Sequence, residues 1–141
     1  MLLNARARSQ IDVAGAQFRQ IQALLRPEDP PTMRGGVANA AGQFHGTAGR
    51  DKLSEVELRR AVELFTAAGK PGDAAGMRNN LANALRSQAK YDEAVAEYRA
   101  SLEFLEDKLG PDHPALGTAY AGLAAVMQAK GERAIGALVG R

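Results

Sequence analysis

Two histidines, His45 and His113, are the sequence's candidates for proton transfer near neutral pH, and they stand far apart with no metal-ligand spacing around either. Carboxylates occur at four-residue spacing in Glu93 and Glu97 and again in Glu103 and Asp107. Beside Arg99 and Lys108 they read as solvated helix faces, not as an acid and base sharing a cleft. The glycine-rich "RGGVANAAGQFHG" has no strand before it and no Gly-Lys-Ser/Thr after it, and "AAGKPG" puts proline directly behind its Gly-Lys, so neither cradles a phosphate. Catalysis, a metal site, a cofactor and a small-molecule substrate are therefore not expected. Another chemistry is present in Asn79 and Asn83, four apart on one helical face, with Arg86 three further on. A carboxamide both donates and accepts, so a row of them pairs with an extended peptide backbone without demanding one side-chain sequence. Arg86 adds a planar donor pair for a partner's carboxylate.

These residues need helices to position them. Alanine dominates the 141 residues and β-branched residues are scarce, so local preference favours helix outside the glycine and proline breaks, and the class is all-α. The breaks are "RPEDPPTMRGG" (26–36), "AAGKPGD" (67–73) and "LGPDHP" (109–114). Between them apolar residues recur at threes and fours, as in Leu81 and Leu85, then Ala94, Tyr98, Leu102 and Leu105. In the last break Gly110 suits the left-handed close of a helix and Pro114 the first turn of the next. His113, pushed to extended geometry by the proline after it, falls at the cap with the Asp112 carboxylate beside it, which makes it a structural residue.

Composition narrows the partners. The absence of cysteine excludes disulfides and thiolate metal sites and permits a reducing compartment. The start "MLLNARARSQ" lacks the continuous apolar run of a signal peptide or a membrane span, so a soluble, cytoplasmic chain without a membrane role is expected. Net charge is only +2, with acids and bases interspersed, which is not the concentrated basic stripe of a nucleic-acid binder.

The segments repeat. Laying "NNLA" at Asn79 over "AGLA" at Ala121 matches Leu81 with Leu123, Ala82 with Ala124 and Leu85 with Met127, at a displacement of 42 (123 − 81). Looking backward, "LRRAVELF" from Leu58 lies 40 before "YRASLEFL" from Tyr98 (98 − 58), and the same step carries Ala82 to Gly42 and Ala89 to Gly49. Repeats of this length suggest a helical solenoid.

The stretch "NNLANALRSQAKYDEAVAEYRASLEFLEDKLGPDHP", Asn79 to Pro114, resembles a tetratricopeptide repeat of the kinesin-light-chain type. The resemblance implies a right-handed solenoid of antiparallel helix pairs. In it Ala82 lets the paired helix approach, Tyr91 and Ala94 open the second helix, and Tyr98, Ser101 and Leu102 pack back onto the first helix and the next unit. The sequence departs from the pattern in places. Arg78 stands where a large apolar residue is usual, and Tyr120 fills that place in the next copy. Ala89 replaces the turn glycine that Gly49 and Gly131 supply in the neighbouring copies, while Arg133 and Gly136 stand where Tyr91 and Ala94 have counterparts. His45 takes the position of Leu85 and is expected to be partly buried.

One helical repeat domain over 1–141 follows: a helical segment at 1–34, a degenerate repeat at 35–76, the best match at 77–118 and a truncated repeat at 119–141, ending within its second helix. Because first helices line the concave face in this family, the resemblance assigns a partner-binding groove to Asn39, Gln43, Asn79, Asn83, Arg86 and Gln128. The expected function is a protein-interaction module or scaffold holding a peptide or helix of another protein. The alternatives are a structural or sensor arm of a larger regulatory protein, and an eroded repeat fragment.

Overall fold

The computed structural model describes residues 4–139, and side-chain surroundings through Arg133. Six helices account for nearly all of it: α1 (Ala5–Leu24), α2 (Pro31–Thr47), α3 (Asp51–Ala67), α4 (Pro71–Ser87), α5 (Tyr91–Leu109) and α6 (Gly117–Val139), with a 3-10 turn at Pro114–Leu116 leading into α6. No strand occurs among the described residues. Starts at Pro31, Asp51, Pro71 and Tyr91 fall twenty residues apart, so the middle of the chain is built from helical half-units joined by equal turns. The unit boundaries expected at 35 and 77 accordingly fall inside α2 and α4, because the prolines at 31 and 71 open those helices from their first position.

The equal turns have one backbone cause. Gly49, Gly69 and Ala89 all take positive φ, at 77°, 68° and 59°. The N–H of the following residue then reaches back to the last full turn: Arg50 to the His45 carbonyl at 2.8 Å, Lys70 to Phe65 at 3.0 Å and Lys90 to Leu85 at 2.9 Å. This closes each helix in a Schellman-type cap and lets the next start antiparallel to it. Ala89 does so without glycine's freedom, at a steric cost.

Small residues set the helix crossings. A Cβ on Gly42 of α2 would come within 2.6 Å of the Leu58 side chain of α3, and one on Gly35 within 2.9 Å of Phe65. Ala82 of α4 is fully buried in the same cluster as Leu58, Leu81, Leu85, Tyr98 and Val126. The paired helices are also pinned by buried hydroxyls: Ser54 donates to the Gly42 carbonyl at 2.7 Å, and Ser101 to the Ala75 carbonyl at 2.8 Å. The packing expected of Ala94, Tyr98, Ser101 and Leu102 is present, since all four are buried.

Polar substitutions are compensated. Arg78, in place of an apolar residue, donates to Glu97 of α5 at 3.0 Å, so Glu97 is an inter-helix ion-pair partner and not only a solvated face residue. His45 is partly buried as expected, beside Phe44, and its Nδ1 is covered and without a hydrogen bond. Burial lowers its affinity for a proton, and the nearby Arg50 adds to this.

Three local expectations need correction. Gly110 has φ 83° and ψ 158°, an extended conformation reserved for glycine and not a left-handed helical one, because the chain must leave α5 for Pro111. The cap after it is made by His113, whose Nδ1 accepts from the Ala115 N–H at 3.1 Å; Asp112 makes no such bond. At the other end of α6 no turn occurs at Gly131, and the helix continues to Val139. Gly131 is not in positive φ, and nothing packs where its Cβ would be, so no contact forces a bend. The expected second-helix position at Gly136 lies outside the residues whose side chains are described.

α1 lies against α2 as a preceding second helix would. Phe18 stacks on Phe44 at 5.2 Å between centroids, Gln22 donates to Glu57 of α3 at 2.9 Å, and Asp12 accepts from Arg50 at 3.0 Å.

Candidate partner groove

Helices α2, α4 and α6 are the first members of their pairs and lie side by side, with α3 and α5 behind them. A stripe of α4 is left over once its apolar side has packed on α5, and that stripe is Asn80, Asn83 and Ser87 with Ala84 between. Opposite it, α2 presents Gln43, Gly46 and Thr47. Ser54 and Leu58 of α3 form the floor, and Asp51 closes one end. The result is an open hollow of about 390 Å³ whose wall is mostly amide and hydroxyl.

The expected groove residues do not all meet there. Gln43 and Asn83 line the hollow from opposite helices. Asn39 sits deeper, with its side-chain oxygen accepting from Asn80 at 3.1 Å, so it ties α2 to α4. Asn79 is turned partly inward, and its Oδ1 is covered and without a partner. Arg86 is half-buried, and its charge acts on Tyr98: burial pushes that phenol's pKa up, and Arg86 works against the shift. Gln128 stands apart on α6, donating to Glu132 at 3.2 Å. Asn80 and Ser87 were not among the expected residues. A signal for them exists in the sequence: with Arg78, Ala82 and Leu85 assigned to the packed side, positions 80, 83 and 87 form the stripe on the opposite side at three- and four-residue spacing.

Side-chain hydrogen bonds fix the residues around the hollow. Tyr98 donates its hydroxyl to Asn83 Oδ1, which leaves the Asn83 amide nitrogen directed elsewhere. At the far edge Glu55 of α3 accepts from Lys90 at 2.9 Å, Gln88 at 2.8 Å and Arg59 at 2.9 Å, joining α3 to the turn between α4 and α5. Burial acts to raise the Glu55 pKa, but the three hydrogen bonds together outweigh it and hold the carboxyl at about 2.

Another cleft, of about 510 Å³, lies where the start of α5 faces α6 and collects Lys90, Lys130 and Arg133 with Asp92 and Glu93. Its charges are largely matched within the chain, with Lys130 on Asp92 at 2.5 Å and Lys90 on Glu55. Among the described residues no cluster of three or more His, Cys, Asp or Glu is brought together, and no helix is long and apolar enough to cross a membrane.

Residues 73–134 match the family model described as the tetratricopeptide repeat, which spans α4, α5 and most of α6. No curated protein matches the chain.

Proposed function

We propose that this chain, a tetratricopeptide-repeat-type protein and so in general a protein-interaction module, binds an extended peptide or a helix of a partner protein along the face formed by α2, α4 and α6. One observation carries the reading: Gln43 and Asn83 face the same hollow from two different helices, with Asn80 beside them. A peptide laid between α2 and α4 meets donors and acceptors on both sides, and small residues such as Gly46, Ala84 and Ser87 let its backbone come close. Arg86, Asn79, Asn39 and Gln128 belong to the same proposed face: Arg86 as a carboxylate contact, Asn79 through the amide end of its side chain, Asn39 through Asn80, and Gln128 at the α6 end, where alanines at 121 and 125 make the surface less polar.

The alternative reading is an arm or eroded remnant with no ligand of its own, and α6 running on through Gly131 without forming a second helix pair is what favours it. Display selection of peptides against the chain separates the two. With Gln43→Ala and Asn83→Ala combined, selected peptides lose about tenfold or more in affinity while the fold persists; equal binding by parent and variant rejects the groove. No enrichment of any peptide sequence supports the arm.

A further inference from the structure

Helices α2 and α4 carry small residues where their own second helices cross them. Gly35 and Gly42 of α2 lie under Phe65 and Leu58 of α3; the counterparts on α4, Ala75 and Ala82, are buried, and the Ala75 carbonyl takes the Ser101 hydroxyl of α5. α6 repeats the pattern 42 residues after α4, with Gly117 and Ala124 at these positions, yet both are exposed and nothing lies where a Cβ on Gly117 would be. Tyr120 and Met127 continue the bare stripe, 43% and 50% exposed, whereas Leu85, the α4 counterpart of Met127, is fully buried. α1 shows the converse. Forty residues before α3, its Phe18, Ile21 and Leu24 take the places of Leu58, Ala61 and Leu64. Ile21 is 46% and Leu24 79% exposed, although Ala61 and Ser101, the counterparts of Ile21 in the paired second helices, are fully buried. Among the described residues, then, α6 is a first helix without a second, and α1 is a second helix without a first.

We propose that α1 of one copy of this chain docks on α6 of another as its second helix, so that copies associate head to tail and continue the solenoid. Side-chain size, charge and helix length all select this occupant. Phe18 comes onto Ala124 as Leu58 lies on Gly42, and Ile21, larger than Ala61 or Ser101, comes onto Gly117, smaller than Ala75. Where Arg78 of α4 pairs with Glu97 of α5, the corresponding residues are Tyr120 and Gln17, both uncharged, so docking buries no unpaired charge there. Within the chain, each helix pair must turn at Gly49 or Ala89 before its second helix starts at Asp51 or Tyr91. α6 passes the corresponding point at Gly131 and runs on to Val139, and α1 starts at Ala5, six residues (11 − 5) before Ile11, the counterpart of Asp51 and Tyr91. A pair made from two chains needs no turn, so both extensions lie alongside each other. The contact is heterologous: every copy added leaves one α1 and one α6 free for the next. Because α1 already lies against α2, the next copy's α2 follows α6 in the row of first helices, and the face formed by α2, α4 and α6 continues from copy to copy.

The test is sedimentation of the purified chain over a concentration series, with Ile21→Glu blocking the α1 face and Ala124→Glu the α6 face. Both positions are exposed in the single copy, so the fold is expected to persist, and circular dichroism checks this. The average mass of the parent is expected to rise with concentration beyond two copies, and each variant alone is expected to associate at least about tenfold more weakly. An equal mixture of the two variants is expected to recover association but stop at two copies, because one supplies an intact α6 and the other an intact α1. The chain has no cysteine, so Ile21→Cys mixed with Gly117→Cys is expected to give a disulfide between chains that neither variant gives alone. A parent that keeps the mass of one copy up to about 1 mM overturns the proposal. So does association that neither glutamate weakens, or a mixture that recovers none, which is the behaviour of a symmetric contact.

Discussion

The ring of Tyr98 on α5 occupies the place where a side chain on Gly122 of α6 would stand, so closely that a Cβ there would come within 2.5 Å of ring carbons. Both residues are buried, and the ring is fixed on its other side by the hydroxyl's bond to Asn83. Gly122→Ala is therefore expected to push α6 off α5 and to destabilise the chain by about 1–3 kcal/mol. Thermal unfolding checks this, and a melting temperature unchanged from the parent argues against the α5–α6 packing.

Ala89→Gly is expected to stabilise the chain by about 1 kcal/mol, because Ala89 holds φ at 59° where its neighbours in the same turn geometry are glycines. Gly49→Ala is expected to have the opposite sign, since Gly49 is at φ 77° with open space around its Cβ position, leaving backbone strain as the only cost. Denaturant midpoints of the two variants, measured together, give the comparison.

Glu55 makes stability depend on acid. Its folded pKa of about 2 lies below the usual value of 4.5, so the folded state holds the proton less tightly than the unfolded state does. The stabilisation is fully present above about pH 4.5 and is lost as the pH falls towards 2. The amount is about 1–3 kcal/mol. Glu55→Gln is expected to be less stable than the parent at neutral pH and to converge on it near pH 2. Melting curves between pH 2 and 7 read this out, and parallel curves for the two proteins contradict it.

The bond from Asn80 to Asn39 is a direct tie between α2 and α4. A double-mutant cycle with Asn39→Ala and Asn80→Ala is expected to return a coupling of about 0.5–1.5 kcal/mol. Additive losses count against this tie.

Much of the architecture was legible because it is local. The breaks at Gly49, Gly69 and the 109–114 segment are set by residues that tolerate positive φ or fix a first helical turn, and the structure ends helices at each of them. His113 was readable as a cap from its place before a proline, and its Nδ1 makes that bond. Gly131 misled because glycine permits a turn without requiring one; with nothing packed against it, α6 continues as a helix. Asn79 was placed in the groove by its spacing from Asn83, yet its Oδ1 is covered, while Asn80 lines the hollow. A helical face is about 100° wide, so adjacent asparagines differ in exposure by a rotation that only the neighbouring helices determine.

By itself, the sequence determined that the chain is helical, that its helices alternate with tight turns, and that small residues at 42 and 82 mark crossings, because propensity, turn chemistry and residue size act over a few positions. Tertiary structure alone decided where the hollow lies. That depended on residues of α2, α3 and α4 coming to line one space, and packing volume is a property of facing helices, not of any one of them.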